Sequence, residues 1–143
     1  MNRQGEVEAL QACLAAEHAV VYGYGVLGPR LDAEGRRQAL GAFDSHRVRR
    51  DLLAAAVRLR GAAPVLPEAA YDAAAPSAAE ALALAVRLEA GMSVRWRDLV
   101  TGTADEGLRR LALAALVETA VRAAQWRQRA GAPDATVAFP GAG

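Results

Sequence analysis

Apolar positions recur along this chain at helical spacing, in four stretches separated by glycine, proline and small polar residues. In the first stretch, ALQACLAAEHAVVYGYGVL, Leu10, Leu14, Val21 and Tyr24 fall on one stripe with Glu17 in its middle. The pattern predicts helix 1 from near Gly5 to Leu27, stopped by Gly28-Pro29. Gly23 and Gly25 weaken its last turns, and the expected reason is another helix crossing close by. Helix 2 is predicted from Gly35 to Arg60, with Ala39, Phe43, His46, Arg50, Leu53 and Val57 inward. Helix 3 is predicted from Ala78 to Val100, behind a capping box of Ser77 and Glu80, with Leu82, Val86, Glu89, Ser93 and Trp96 inward. Helix 4 is predicted from Glu106 to Arg129 after Asp105 as cap, with Leu108, Leu111, Ala115, Glu118, Val121 and Gln125 on one face. Gly131 and Pro133 end it, and Phe139 is the expected anchor of a tail over residues 131–143.

The segment from Gly61 to Ser77 sets the topology. Pro64, Pro67 and Pro76 exclude a continuous helix there. A helix of about 25 residues is near 38 Å long, and about 17 extended residues reach 55 Å. The segment can therefore run from one end of a bundle to the other, so helices 2 and 3 are expected to run parallel. A hairpin between them would need only a few residues.

The chain also repeats itself with an offset of 72 positions: Glu17 matches Glu89, Tyr24 matches Trp96, Arg50 matches Arg122, and His46 matches Glu118. Two helical hairpins joined by a crossover are what this register describes. A carboxylate on the buried stripe of a helix is costly unless a metal, a cation or a proton compensates it, which makes Glu17 and Glu89 the candidate chemistry.

Composition narrows the class. Ile is absent and no alternating strand pattern occurs, so the fold is expected to be all-α. All 17 basic residues are arginine, set against 16 acids for a net charge of +1, which gives no electrostatic footprint for nucleic acid. No run of about 20 apolar residues suggests a membrane span. The N-terminus lacks the apolar core of a signal peptide, and a lone Cys13 suits a reducing compartment. The expectation is a cytoplasmic protein. No phosphate-binding glycine loop, nucleophile elbow or CxxC pair is present.

On Glu17, Glu89, Glu118, the repeat and the crossover, residues 9–129 resemble the ferritin-like superfamily. The segment AAEHAVVYGYGVLGPRL is similar, more narrowly, to a group of uncharacterised bacterial ferritin-like domains. The resemblance implies a four-helix bundle over residues 1–130, made of two helical hairpins with a long crossover between helices 2 and 3. Di-iron members of the superfamily present a Glu from each of two helices and a Glu-x-x-His pair from each of the others. Glu17 and Glu89 match the lone acids, and Glu118 the acid of one pair. The rest departs: Val121 stands where that pair's His belongs, and His46 is preceded by Phe43 and followed by Arg49 at the motif spacing.

Two readings of the core follow. In one, Glu17, His46, Glu89 and Glu118 hold Fe, Mn or Zn, as three carboxylates and an imidazole could. In the other, which is preferred, the layer is metal-free and Arg50 and Arg122 compensate the acids. Function divides likewise, between a non-catalytic bundle acting through protein contacts as a homodimer and a metal-binding protein or metal-dependent oxidoreductase. His18, about 100° round the helix from Glu17, is expected at a helix edge. Tyr24 and Trp96 are expected as core residues, and spacing leaves Trp126 open between core and interface. Any small-molecule ligand is left unknown by the sequence.

Overall fold

The computed structural model describes residues 2–132 and 139–141. Four helices are present, α1 (Arg3–Leu27), α2 (Ala33–Leu59), α3 (Ala78–Gly102) and α4 (Glu106–Arg129), and the described residues contain no strand. Each start is set by a side chain that accepts from an otherwise orphaned backbone N–H: Asn2 from Gly5, Asp32 from Gly35, Ser77 from Glu80 and Asp105 from Leu108. Asn2 and Asp32 start α1 and α2 two residues earlier than the apolar pattern predicts. At Ser77 the hydroxyl half of the expected box forms, but the Glu80 carboxylate accepts from the Ser77 hydroxyl rather than from the Ser77 backbone N–H. Helices α2 and α4 end on Gly61 and Gly131, both at positive φ, where the following N–H groups turn back onto the last carbonyls.

The directions of the helices follow from their contacts. α1 and α2 form an antiparallel hairpin through a 3-10 turn at Gly28–Arg30. Tyr24 reaches Glu89, and at the other end Glu6 of α1 accepts from Thr103, just past α3, so α1 and α3 are antiparallel too. Helices α2 and α3 are consequently parallel, and the segment between them travels the length of the bundle beside α1. Gln11 holds it with both amide atoms, donating to the Ala63 carbonyl and accepting from the Val65 N–H. His18 meets the Val65 carbonyl at 3.0 Å, and the Tyr22 and Tyr71 rings pack with centroids 5.5 Å apart. His18 is thus a helix-edge residue that ties down the crossover.

One end of the bundle is tied by Arg60. It donates to Glu6 at 2.6 Å, to the Ala56 carbonyl at 3.1 Å and to Asp105 at 3.5 Å, joining segments that start or end three helices. The Arg60 and Thr103 hydrogen bonds hold the Glu6 carboxyl below its usual range.

Cys13, Leu14, Leu53, Met92, Trp96 and Trp126 are among the buried side chains of the core. Trp126 is therefore a core residue. Tail anchoring differs from the expectation. Phe139 is 78% exposed, whereas Gly141 is buried against α3, where a Cβ would lie 2.7 Å from the Ser93 carbonyl oxygen.

Candidate functional site

Three of the four predicted ligands meet at mid-bundle. Glu17 comes from α1, His46 from α2 and Glu89 from α3, and all three are buried. His46 is sandwiched: its Nδ1 lies 2.7 Å from Glu17 Oε2 and its Nε2 lies 2.9 Å from Glu89 Oε1. A neutral imidazole has one N–H and could donate to only one of these acceptors. Burial alone would push the imidazole pKa down. The hydrogen bonds it donates to the Glu17 and Glu89 carboxylates outweigh burial and raise the value to about 9. His46 is therefore an imidazolium at neutral pH, donating to an acid on each side. Burial raises the Glu17 carboxyl, and the His46 hydrogen bond pulls against that shift.

Donors converge on one oxygen of Glu89. Besides His46, the Tyr24 hydroxyl donates to Oε1 at 2.5 Å, and Arg122 Nη1 stands 3.5 Å from it. Tyr24 in turn accepts from Trp126 Nε1 at 2.9 Å, and its ring stacks on the imidazole with centroids 5.6 Å apart. Arg122 Nη1 also comes within 3.4 Å of His46 Nε2. Two cations tolerate that approach because both are directed at the same carboxylate. With both acids ionised, two negative charges face two positive ones, and the layer is neutral. Burial, then the neighbouring Glu89 charge, keeps the Tyr24 hydroxyl protonated well past its usual pKa. The result is a continuous hydrogen-bonded chain, Trp126–Tyr24–Glu89–His46–Glu17, able to hold one proton away from water.

The other predicted partners are placed elsewhere. Glu118 is half exposed and accepts from Arg49 at 2.8 Å on the surface. Arg50 pairs with its neighbour Asp51 at 2.9 Å, outside the buried layer. The buried face of α4 is Leu108, Ala112, Ala115, Thr119, Ala123 and Trp126, turned about one residue from the predicted stripe. This turn carries Glu118, Val121 and Gln125 outward and brings Arg122 and Thr119 in. The single Ser93 hydroxyl proton is shared between the Thr119 hydroxyl and the Glu89 carbonyl, both 3.1 Å from Ser93 Oγ, while Thr119 donates to the Leu116 carbonyl. The missed residues had one signal: counting back from Trp126 in steps of three and four reaches Ala123, Thr119, Ala115, Ala112 and Leu108. In α3, Ala81, Leu84 and Ala85 are more deeply buried than the expected Leu82 and Val86.

The donor set does not match a two-metal centre. The acids and imidazoles that face the layer, among the described residues, are Glu17, Glu89 and His46, and both imidazole nitrogens already serve carboxylates. Among the described residues, no group of three or more His, Cys, Asp or Glu side chains is disposed to hold a metal ion. Glu17 Oε1 and Glu89 Oε2 are nevertheless buried without a hydrogen-bond partner.

A family model described as "Domain of unknown function (DUF4439)" matches residues 9–143. A crystal structure of a conserved hypothetical protein, rv2844, from Mycobacterium tuberculosis is similar with a TM-score of 0.86 and 34% identity, over 96% of this chain and 98% of that one. A dodecameric thioferritin, the bacterioferritin-related protein from Bacteroides fragilis, superposes with a TM-score of 0.78 at 20% identity, over 91% of this chain and 86% of the other. That likeness shows the fold, a ferritin-like four-helix bundle. No curated protein matches. No helix among the described residues is long and apolar enough to cross a membrane.

Proposed function

This chain belongs to the family described as "Domain of unknown function (DUF4439)", and on that premise we propose that it is a non-catalytic ferritin-like domain. In this reading a protonated ionic layer occupies the level at which di-iron relatives hold metal. The observation that carries it is the His46 imidazole, 1% exposed, with a carboxylate on each ring nitrogen. A metal binding His46 would have to displace one of those two hydrogen bonds. Removing one partner of a buried ion pair is strongly destabilising, so the layer acts as a structural lock. The test is the metal content of freshly purified protein together with the stability of chelator-treated protein. Sub-stoichiometric metal and an unchanged unfolding midpoint after chelation are expected. One metal per chain, with a lower midpoint after its removal, would refute the reading.

The second reading is a metal-binding protein, or a metal-dependent oxidoreductase, taking Fe, Mn or Zn. Glu17 Oε1 and Glu89 Oε2 favour it, since two partnerless carboxylate oxygens suit a hard cation. Against it stands Glu118, the expected fourth ligand, on the outside of α4.

The domain, residues 1–130 with a tail at 131–143, works in this proposal through contacts between copies, as a homodimer. Val48 and Leu52 on α2 and Val117 and Val121 on α4 are large apolar side chains left exposed on one half of the bundle. A monomeric mass by light scattering at micromolar concentration would count against a dimer. The lone, buried Cys13 supports a cytoplasmic location.

A further inference from the structure

The buried layer carries its own cation. Glu17 and Glu89 supply the negative charges, and the His46 imidazolium supplies a positive one, 2.7 Å from Glu17 Oε2 and 2.9 Å from Glu89 Oε1. The other positive charge is Arg122 of α4, whose Nη1 stands 3.5 Å from Glu89 Oε1 and 3.4 Å from His46 Nε2. Its side chain is 15% exposed, whereas both acids are fully buried, so Arg122 is the member of the layer that reaches solvent.

Neighbouring groups do not alter this balance. Burial, then the Glu17 charge, keeps the Cys13 thiol protonated, and burial and then Glu89 do the same for Tyr24. Arg50, which matches Arg122 in the internal repeat, pairs with Asp51 outside the layer. Among the described residues, the guanidinium beside Glu89 is therefore that of Arg122.

A divalent cation that takes His46 as a ligand must first expel the imidazole proton to solvent. With Arg122 in place, the two acids would then face a divalent ion and a guanidinium, and one buried positive charge would be left uncompensated. Without Arg122 the same exchange ends neutral. A guanidinium, unlike an imidazole, cannot shed its proton to make room. Glu17 Oε1 and Glu89 Oε2 are buried without a hydrogen-bond partner, so both acids keep lone pairs open to a cation.

We propose that Arg122 is the residue that keeps divalent metal out of the core, and that its loss uncovers a site for one divalent cation on Glu17, His46 and Glu89. The inference rests on the metal-free reading of the layer given above.

The test titrates Co2+ into chelator-treated, full-length wild type and Arg122→Gln, followed by calorimetry and by the visible absorption of the bound ion. Arg122→Gln should gain one saturable site per chain, tighter by about tenfold or more than any site in wild type. Arg122→Lys keeps the charge and should bind no better than wild type. Arg49→Gln, which removes the arginine paired with Glu118 on the surface, should also bind like wild type. Adding His46→Gln to Arg122→Gln should abolish the gained site. Should Arg122→Gln unfold alone, Co2+ is expected to refold it, read by circular dichroism, and failure to do so overturns the inference. A folded Arg122→Gln that gains no site overturns it too, and leaves the metal-free reading standing if wild type also binds none. An equal gain in Arg122→Lys, or a gain that survives His46→Gln, likewise overturns it. Wild type binding one Co2+ per chain as tightly as Arg122→Gln, through His46, would refute the metal-free reading itself.

Discussion

The His46 imidazole meets the Glu17 carboxylate at 2.7 Å across the α1–α2 hairpin, with both groups buried. Two residues that the sequence places 29 positions apart thus share one proton-mediated contact at the centre of the bundle. Neither could be buried ionised alone, and each makes the other tolerable.

This dependence gives the first prediction, on His46. Its pKa is raised from 6.5 to about 9. A raised folded-state pKa contributes stability that is full below the unfolded value and is lost as pH climbs through the folded one. The unfolding free energy should therefore fall between about pH 6.5 and pH 9 by on the order of 3 kcal/mol. Denaturant titrations across that range check it. His46→Gln should be less stable at pH 6.5 and show a flatter profile. A wild-type profile without slope in this window would remove the imidazolium from the account.

Glu89→Leu separates the ionic layer from a metal site. The substitution leaves the His46 and Arg122 cations with a single buried acid. It is expected to cost about 3–5 kcal/mol in protein already stripped with chelator. A stripped variant as stable as stripped wild type, from a wild type that purifies with metal, would favour the metal site.

Glu118 makes the opposite prediction. Its carboxylate is half exposed on the outside of α4 and pairs with Arg49, which is itself 18% exposed. Exposed pairs of this kind contribute little, so Glu118→Gln should cost no more than about 1 kcal/mol. A loss as large as that of Glu89→Leu would place Glu118 in the buried layer.

The two α1 glycines should respond differently to alanine. Gly25→Ala meets open space and should gain about 0.5–1 kcal/mol of stability. In Gly23→Ala the same helical gain is set against displacement of Leu88, whose Cδ1 would stand 2.7 Å from the new Cβ. Thermal unfolding of the two variants should rank Gly25→Ala above Gly23→Ala, and the reverse order would contradict the packing at Leu88.

What the sequence determined by itself was the arrangement of helices. Large side chains on α1, Leu10, Leu14 and Tyr24 around Glu17, define one face, although Val20 rather than the expected Val21 is buried on it. The prolines of the 61–77 segment exclude a helix, and its length suffices for the lengthwise crossover that makes α2 and α3 parallel. The acid of α3 is legible for the same reason, because Glu89 lies between Ala85 and Trp96 on a face that must be buried.

Only the tertiary structure decided the rotation of α4 and the partners of the buried acids. Apolar side chains surround that helix, with Leu113, Val117 and Val121 outside and Ala112, Ala115 and Ala123 inside, so periodicity alone admits a turn of one residue. Packing resolves it by burying Trp126, whose large ring fills the core and whose N–H finds the Tyr24 hydroxyl. Once Trp126 is inside, Arg122 follows it one turn away and Glu118 is carried to the surface. Which carboxylate His46 meets, and which arginine Glu89 meets, depends on distances between helices far apart in sequence. A pattern read along one helix contains no such distance.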